Sequence, residues 1–287
     1  MTGLAAAGPY EPATFAKPRG LVGTQRLLDL DPDLGRLLDG DRRAAARNDL
    51  WVRVHHRARG PWPIKPVSSD TLAQHLGVLV IDGVIASDVQ LEDVVSTELL
   101  GAGDIARPWA LDSTERLLSD KTQWMILTEC RVVLLDKRFA SALSRFPEVY
   151  AVLLQRMDQR ARRLATTQAI AELTRVDRRL LNLLWYLAER WGRVTADGVL
   201  VPLDISHRLL GQLVGARRPT VSTAIGQLTR EGLVHRRADG AWLLHGDPPS
   251  CAGEHRESVL SRRRLFVEQR SQHVSRHPQP FGIDLAD

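Results

Sequence analysis

Arginine is concentrated between Ser206 and His245. Arg208, Arg217, Arg218, Arg230, Arg236 and Arg237 stand there against Glu231 and Asp239. A guanidinium fork fits two phosphate oxygens, or O6 and N7 of a guanine, so this clustering points to a nucleic acid. Short polar side chains accompany the arginines. Arg218 is the first candidate for reading a base, whereas Ser206, Arg217, Thr220, His235 and Arg236 are placed for phosphates, which fix register without reading sequence. His207, Arg208, Ser222, Thr223 and Gln227 complete the candidate DNA-binding set.

Such residues work only if a rigid frame presents them. Ser206 is a good N-cap, and Leu209, Leu210 and Leu213 give the helix after it an apolar face. Gly211 is small where two helices would cross, and Gly215 sits where a tight turn needs positive φ. A second helix opens near Arg217–Arg218. Pro219 is tolerated there because the first turn loses no intrahelical hydrogen bond. Val221, Ile225 and Leu228 bury one face of it and leave Ser222, Thr223, Gln227 and Arg230 on the other. Upstream, Leu180 to Ala188 form an amphipathic helix ending at Trp191-Gly192, followed by a hairpin over Val194–Leu203 with Asp197-Gly198 at its turn. Downstream, Leu233–Arg237 and Trp242–Leu244 flank Asp239-Gly240, a further hairpin. Helix, hairpin, helix, helix, hairpin is the order of a winged helix-turn-helix, here over residues 173–247. A winged helix that contacts protein rather than DNA is the competing reading.

Before this domain the period differs. Phe139 to Leu173 reads as a helix with one proline, Pro147, near its start. Leu154, Met157, Ala161, Leu164, Gln168 and Ala171 follow 3-4-3-4-3 spacing, the seam of a coiled coil about two and a half heptads long. The same pattern suits a helix lying on its own domain's core. Arg156, Arg160, Arg162 and Arg163 are expected to solvate the opposite face. From Leu76 to Asp136 the signals are those of strands. Val78–Ile81 and Val84–Ala86 flank Asp82-Gly83, a two-residue hairpin signal, Val94–Leu100 precedes the turn Gly101–Asp104, and Gln123–Thr128 and Arg131–Leu135 read as a short pair. Weak helical signals surround Leu27–Leu38. The expected fold is α+β: a flexible leader over 1–20, an N-terminal β-barrel or jelly-roll sensor domain over 21–137, a long dimerisation helix over 138–172, the winged helix over 173–247 and a C-terminal extension over 248–287.

The 287 residues suffice for such a division, and the net charge of +5 permits an acidic partner. The two cysteines, Cys130 and Cys251, are too few for a disulfide framework or a four-thiolate cluster, which makes a reducing cytoplasm the expected location. No apolar run reaches the roughly 18 residues of a membrane span, and the first residues lack the pattern of a secretory signal. No phosphate loop, zinc spacing or nucleophile elbow is present, so no catalytic residue, metal ligand or cofactor is expected.

The block LLGQLVGARRPTVSTAIGQLTREGLVHRRADGAWLLHG, with RVDRRLLNLLWYLAERWG before it, resembles the Crp–Fnr superfamily of bacterial transcription regulators. The order of a β-rich module, a long helix and a winged helix fits as well. The resemblance covers about residues 70–246 and is strongest beyond 150. It implies a homodimer on a near-palindromic site in double-stranded DNA, contact with RNA polymerase, and a small-molecule effector in the sensor domain. Members that bind cyclic nucleotides carry a Gly-Glu pair and a later Arg-Ser/Thr-Ala triplet. Here Gly103-Asp104 is followed by Ile105-Ala106-Arg107-Pro108-Trp109, the triplet is missing up to Gln123, and Thr167-Gln168 stands where Thr and Ser would meet the base. The resemblance thus implies an unidentified effector other than a standard cyclic nucleotide. Arg107, Arg116 and Thr167 are the effector candidates, with a solvated loop as the other reading of the two arginines. Many members also carry Glu at the place of Pro219 and Arg at the place of Thr223, which implies a different operator. Haem occurs in the superfamily, but nothing singles out His55, His56 or His75 as an axial ligand.

Overall fold

The computed structural model describes residues 21–63, 75–109, 117 and 120–249. The expected leader, Arg116, Cys251 and the extension beyond 249 lie outside the described residues. The chain forms two compact units, Met1–Leu164 and Ala165–Asp287.

In the first unit, β1 (Leu21–Arg26) leads into α1 (Leu27–Leu30), a 3-10 turn over Pro32–Gly35 and α2 (Gly40–Asp49). Asp39 caps α2 by accepting the Arg42 N–H at 2.8 Å. The strands that follow are β2 (Trp51–Arg57), β3 (Gly60–Pro61), β4 (Gly77–Leu91), β5 (Val94–Gly101), β6 (Ile105–Ala106) and β7 (Lys121–Leu135). They make one antiparallel sheet in the order β1-β2-β7-β4-β5, with β3 on β7 and β6 on β4.

This corrects the expected barrel. Closure needs every strand paired on both sides, but the path ends at β1 and β5, which do not pair with each other. The strands are also longer than the turn signals suggested. Asp82-Gly83 lies inside the 15-residue β4, and the two short strands expected over Gln123–Leu135 are the single β7. Gly83 has φ 82°, and the β4–β7 register shifts on both sides of Asp82. A bulge and a hairpin turn demand the same residue, a glycine at positive φ, so the dipeptide marked a bend and not a reversal. The Asp82 carboxylate stabilises the bulge by accepting from the Arg131 backbone N–H at 2.7 Å and from its guanidinium at 2.5 Å.

Alternate residues of the sheet serve two cores. Leu79, Val133 and Leu135 join Val52, Val54, α1 and α2 residues, and the helices after β7. Val78, Val80, Val132 and Leu134 join Trp62, Ile85, Leu100, Trp109, Trp124, Ile126 and Cys130, a cluster drawn from strands and their flanking residues alone. Two helices then leave the sheet: α3 (Lys137–Leu143), capped by Asp136, and α4 (Pro147–Ala171). Pro147 opens α4, where its missing N–H is no loss.

In the second unit, α5 (Val176–Trp191), β8 (Arg193–Thr195), β9 (Gly198–Val201), α6 (His207–Val214), α7 (Arg218–Arg230), β10 (Val234–Arg236) and β11 (Trp242–Leu244) appear in the order the sequence predicts. Thr195 pairs with Gly198, which puts the first hairpin's turn at Ala196-Asp197, one residue earlier than expected. The strands form a second sheet in the order β10-β11-β9-β8. Leu180, Leu183 and Leu184 of α5, Leu210 and Leu213 of α6, Val221, Ile225 and Leu228 of α7, and Trp242 form its buried interior.

Candidate nucleic-acid interface

The helix pair forms as its residues dictate. The Ser206 hydroxyl caps α6 by accepting the Leu209 N–H at 3.2 Å. Gly215 ends α6 in the left-handed region, φ 63° and ψ 41°. At Gly211 the obstacle to a side chain is the turn itself: a Cβ there would lie 2.4 Å from the Ala216 carbonyl oxygen. Arg217 occupies the N-cap of α7, Arg218 is its first residue and Pro219 its second.

The exposed face carries the predicted residues in three states of readiness. Arg208, Arg217, Arg218, Thr220 and His235 are exposed, and neither Arg217 nor Arg218 meets a carboxylate among the described residues. His207 and Ser222 are engaged with each other, Nδ1 to Oγ at 2.9 Å, and the Thr223 hydroxyl donates back to the Pro219 carbonyl at 3.2 Å. Gln227 is half-buried and donates to Glu231 at 2.9 Å, while Arg236 donates to Asp204 at 2.9 Å. Burial, then the charges of Arg236 and Arg218, hold the His207 imidazole below its ordinary value.

Two residues of this surface escape a reading by sequence. Trp242 is fully buried, with the Arg236 guanidinium 5.4 Å from its ring centroid and the His207 ring at 6.2 Å, so one side chain seats both. Asp204 neutralises a wing arginine from a loop before α6. The sequence places Trp242 in the wing hairpin but gives no sign of this seating role, and Asp204 belongs to no periodic pattern. Arg179 adds a tie from α5, donating to the Leu173 and Val214 carbonyls.

Along α4 the residues of the apolar spacing lie mostly exposed, and a different set closes onto the core. Val149, Val152 and Leu153 are buried in the first unit's core. Leu154, Met157 and Leu164 are 48 %, 50 % and 44 % exposed, Ala161 and Gln168 are exposed, and Ala171 is half-buried. Tyr150, one turn before Leu154, is 47 % exposed and extends this face beyond the predicted seam. The arginines of α4 depart from expectation. Arg162 is solvated beside Asp158, but three others grip the sheet's unit. Arg156 donates to Asp31 at 2.9 Å and to Asp33 at 3.0 Å. Arg160 holds Glu98 through two bonds of 2.8 and 2.7 Å and the Ile105 carbonyl at 3.0 Å. Arg163 pairs with Asp104, which is 2 % exposed.

Of the effector candidates, Arg107 is exposed and donates to the His75 carbonyl at 3.2 Å, and Thr167 is half-buried on α4 in the second unit. The neighbours of Arg107, Ala106 and Trp109, point into the strand-only core instead. His55 and His56 are half-buried on β2, and the His75 ring meets Trp109 edge-on at 6.1 Å. No group of three potential metal ligands gathers among the described residues, and no described helix is long and apolar enough to cross a membrane.

Comparison with known proteins agrees with this geometry. The Crp-like helix-turn-helix domain matches residues 174–245. The chain is 31 % identical over 127 residues to the CRP-like cAMP-activated global transcriptional regulator of Mycobacterium tuberculosis, covering 44 % of this chain and 56 % of that protein. It is 32 % identical over 95 residues to the global nitrogen regulator of Synechococcus elongatus, covering 32 % of this chain and 42 % of that one. The chain thus spans about half the length of the curated relatives it matches. Among solved structures, a CooA mutant from Carboxydothermus hydrogenoformans superposes with a TM-score of 0.54 at 16 % identity, covering 86 % of this chain and 98 % of that one. FixK2 from Bradyrhizobium japonicum gives 0.52 at 18 % identity, covering 68 % and 93 %.

Proposed function

This chain has the Crp/Fnr-type fold and carries a Crp-like helix-turn-helix domain, and from that premise we propose that it binds double-stranded DNA as a homodimer and regulates transcription. The observation that carries the proposal is the pair Arg217 and Arg218, exposed at the leading end of α7 with no acidic partner among the described residues. Fixed cations at the tip of a rigid helix suit entry into a major groove, where the first residues of the helix reach base edges. Arg208, Thr220 and His235 extend the surface on either side. Arg236, tied to Asp204, would have to exchange that carboxylate for a phosphate.

The open face of α4 supports the homodimer. Tyr150, Leu154, Met157 and Leu164 lie along one side of a 25-residue helix, each 44–50 % exposed. A second copy aligning the same face would bury them and present two recognition helices about 34–36 Å apart. Contact with RNA polymerase belongs to the same proposal and rests on the fold alone.

The decisive measurement is duplex affinity against salt. Each neutralised phosphate should add about 0.9 to the negative slope of log K on log salt. A dimer using three or four arginines per head should therefore lose binding steeply between about 50 and 200 mM salt. An affinity that ignores salt would remove the DNA reading and favour a winged helix that contacts protein.

A further inference from the structure

The wing of the second unit holds its cations differently from the recognition helix. Leu203 and Ile205 are buried, so Asp204 between them turns outward, toward the wing. Its carboxylate accepts from the Arg236 Nη2 at 2.9 Å. It also lies against the wing's own turn: a Cβ on Gly240, whose φ is 85°, would stand 2.6 Å from the Asp204 Oδ1. Arg237 faces a second carboxylate, Asp239, at 3.5 Å. Both wing arginines are thus paired at rest, while Arg217 and Arg218 meet no carboxylate among the described residues.

The Arg236–Asp204 pair can exchange partners. Its side chains are 39 % and 47 % exposed, and they border an open depression of about 360 Å³ shared with Arg237, Asp239 and Gly240. A DNA phosphate can therefore reach the guanidinium from outside. The ring of the buried Trp242 lies 5.4 Å from that guanidinium and seats it, so a change of partner leaves the seat intact. Carboxylate and phosphate both offer a pair of anionic oxygens to a guanidinium fork, which makes them competitors for one donor group. An exposed ion pair is worth at most about a fivefold factor. That is too little to lock Arg236 away and enough to subtract from the phosphate contact it makes.

We propose that Asp204 is a built-in competitor of DNA phosphate for Arg236, and that it sets how tightly the wing grips the backbone. The inference rests on the DNA-binding reading above and adds a restraint to it. Phosphate contacts carry no sequence information. With the wing arginines neutralised at rest, backbone attraction supplies less of the affinity and the open arginines of α7 supply more. Asp204 acts through Arg236, as a positioning residue. A carboxylate that merely repelled DNA would act equally well without Arg236.

A double-mutant cycle on the full chain decides it, read as affinity for a duplex that the wild-type chain selects from a random pool. Asp204→Asn keeps the shape and removes the charge. It should tighten binding about two- to fivefold per winged helix, and about tenfold for a dimer that seats both. The gain should shrink as salt rises from about 50 to 500 mM, because the pair it removes is itself screened. Arg236→Gln should weaken binding, and Asp204→Asn added to it should then change little. Asp204→Ser loses the same charge and should reproduce the gain. A wild-type melting temperature for each variant guards against misfolding. An Asp204→Asn chain that binds no tighter than wild type, or a gain that persists in full beside Arg236→Gln, would overturn this inference and leave the DNA reading standing. A wild-type chain that selects no duplex would overturn both.

Discussion

Arginine does two jobs in this chain, and the difference lies in exposure. Arg156 and Asp31 are 10 % and 14 % exposed, so their pairing is shielded from salt, whereas Arg217 and Arg218 lie open. Removing one partner of a buried pair costs about 3–5 kcal/mol, while removing an open arginine costs the fold almost nothing and can cost recognition. Arg218→Ala should therefore leave the melting temperature unchanged and relax base preference by about 1–3 kcal/mol at one position, read by competition among single-base variants of a selected site. A uniform loss across all sequences would make Arg218 a phosphate contact instead. The histidines give a pH dependence of definite sign. Burial foremost, aided by nearby arginines, lowers the values of both His55 and His207 below 6.5. Between that value and the lowered one the unfolded chain binds protons that the folded chain refuses, so stability rises with pH through this window. The melting temperature should fall as pH drops from about 7.5 to 5.5, and His55→Gln should flatten part of that fall. An unchanged slope in His55→Gln would show that the imidazole is no more buried than in the unfolded chain.

At the scale of elements, α4 is amphipathic twice over, one face closed on Val149, Val152 and Leu153 and the other open at Leu154, Met157 and Leu164. Each apolar side chain that a partner buries contributes about 1.5–3 kcal/mol. Leu154→Asp combined with Met157→Asp should thus shift sedimentation from twice 32.0 kDa to the single-chain mass, with the helical signal retained. A wild-type chain that sediments as a monomer would refute the paired seam outright. The winged helix was legible in the sequence because its signals are local: a serine cap at Ser206, glycines at 211 and 215, a proline one residue into α7. The sheet was less so. Asp82-Gly83 specifies a positive φ, and only the long-range partner β7 decides whether that becomes a reversal or a bulge. The arginine face of α4 was opaque for the same reason, since Asp31, Glu98 and Asp104 come from three separate segments. The roles of Trp242 and Asp204 were hidden because each acts by seating other side chains from a distant segment.

At the scale of the whole molecule, a chain with a net charge of only +5 still presents Arg208, Arg217 and Arg218 exposed on the α6–α7 pair, none of them meeting a carboxylate among the described residues. Each of the two units closes its own interior, as the sheet's two cores and the Trp242-centred core show. In the proposed DNA-binding dimer, the open stretch of α4 would set a quantitative property. It is about two and a half heptads long and includes Ala161 and Gln168, which contribute little apolar area. If α4 is the seam of the proposed dimer, a stripe that short would hold two copies together only moderately. Below its dissociation constant, the amount of dimer grows as the square of the amount of chain, so halving expression would cut operator occupancy about fourfold. In the proposed dimer, the modest length of one helical stripe would thereby set how sharply the occupancy of a promoter follows the protein's own abundance.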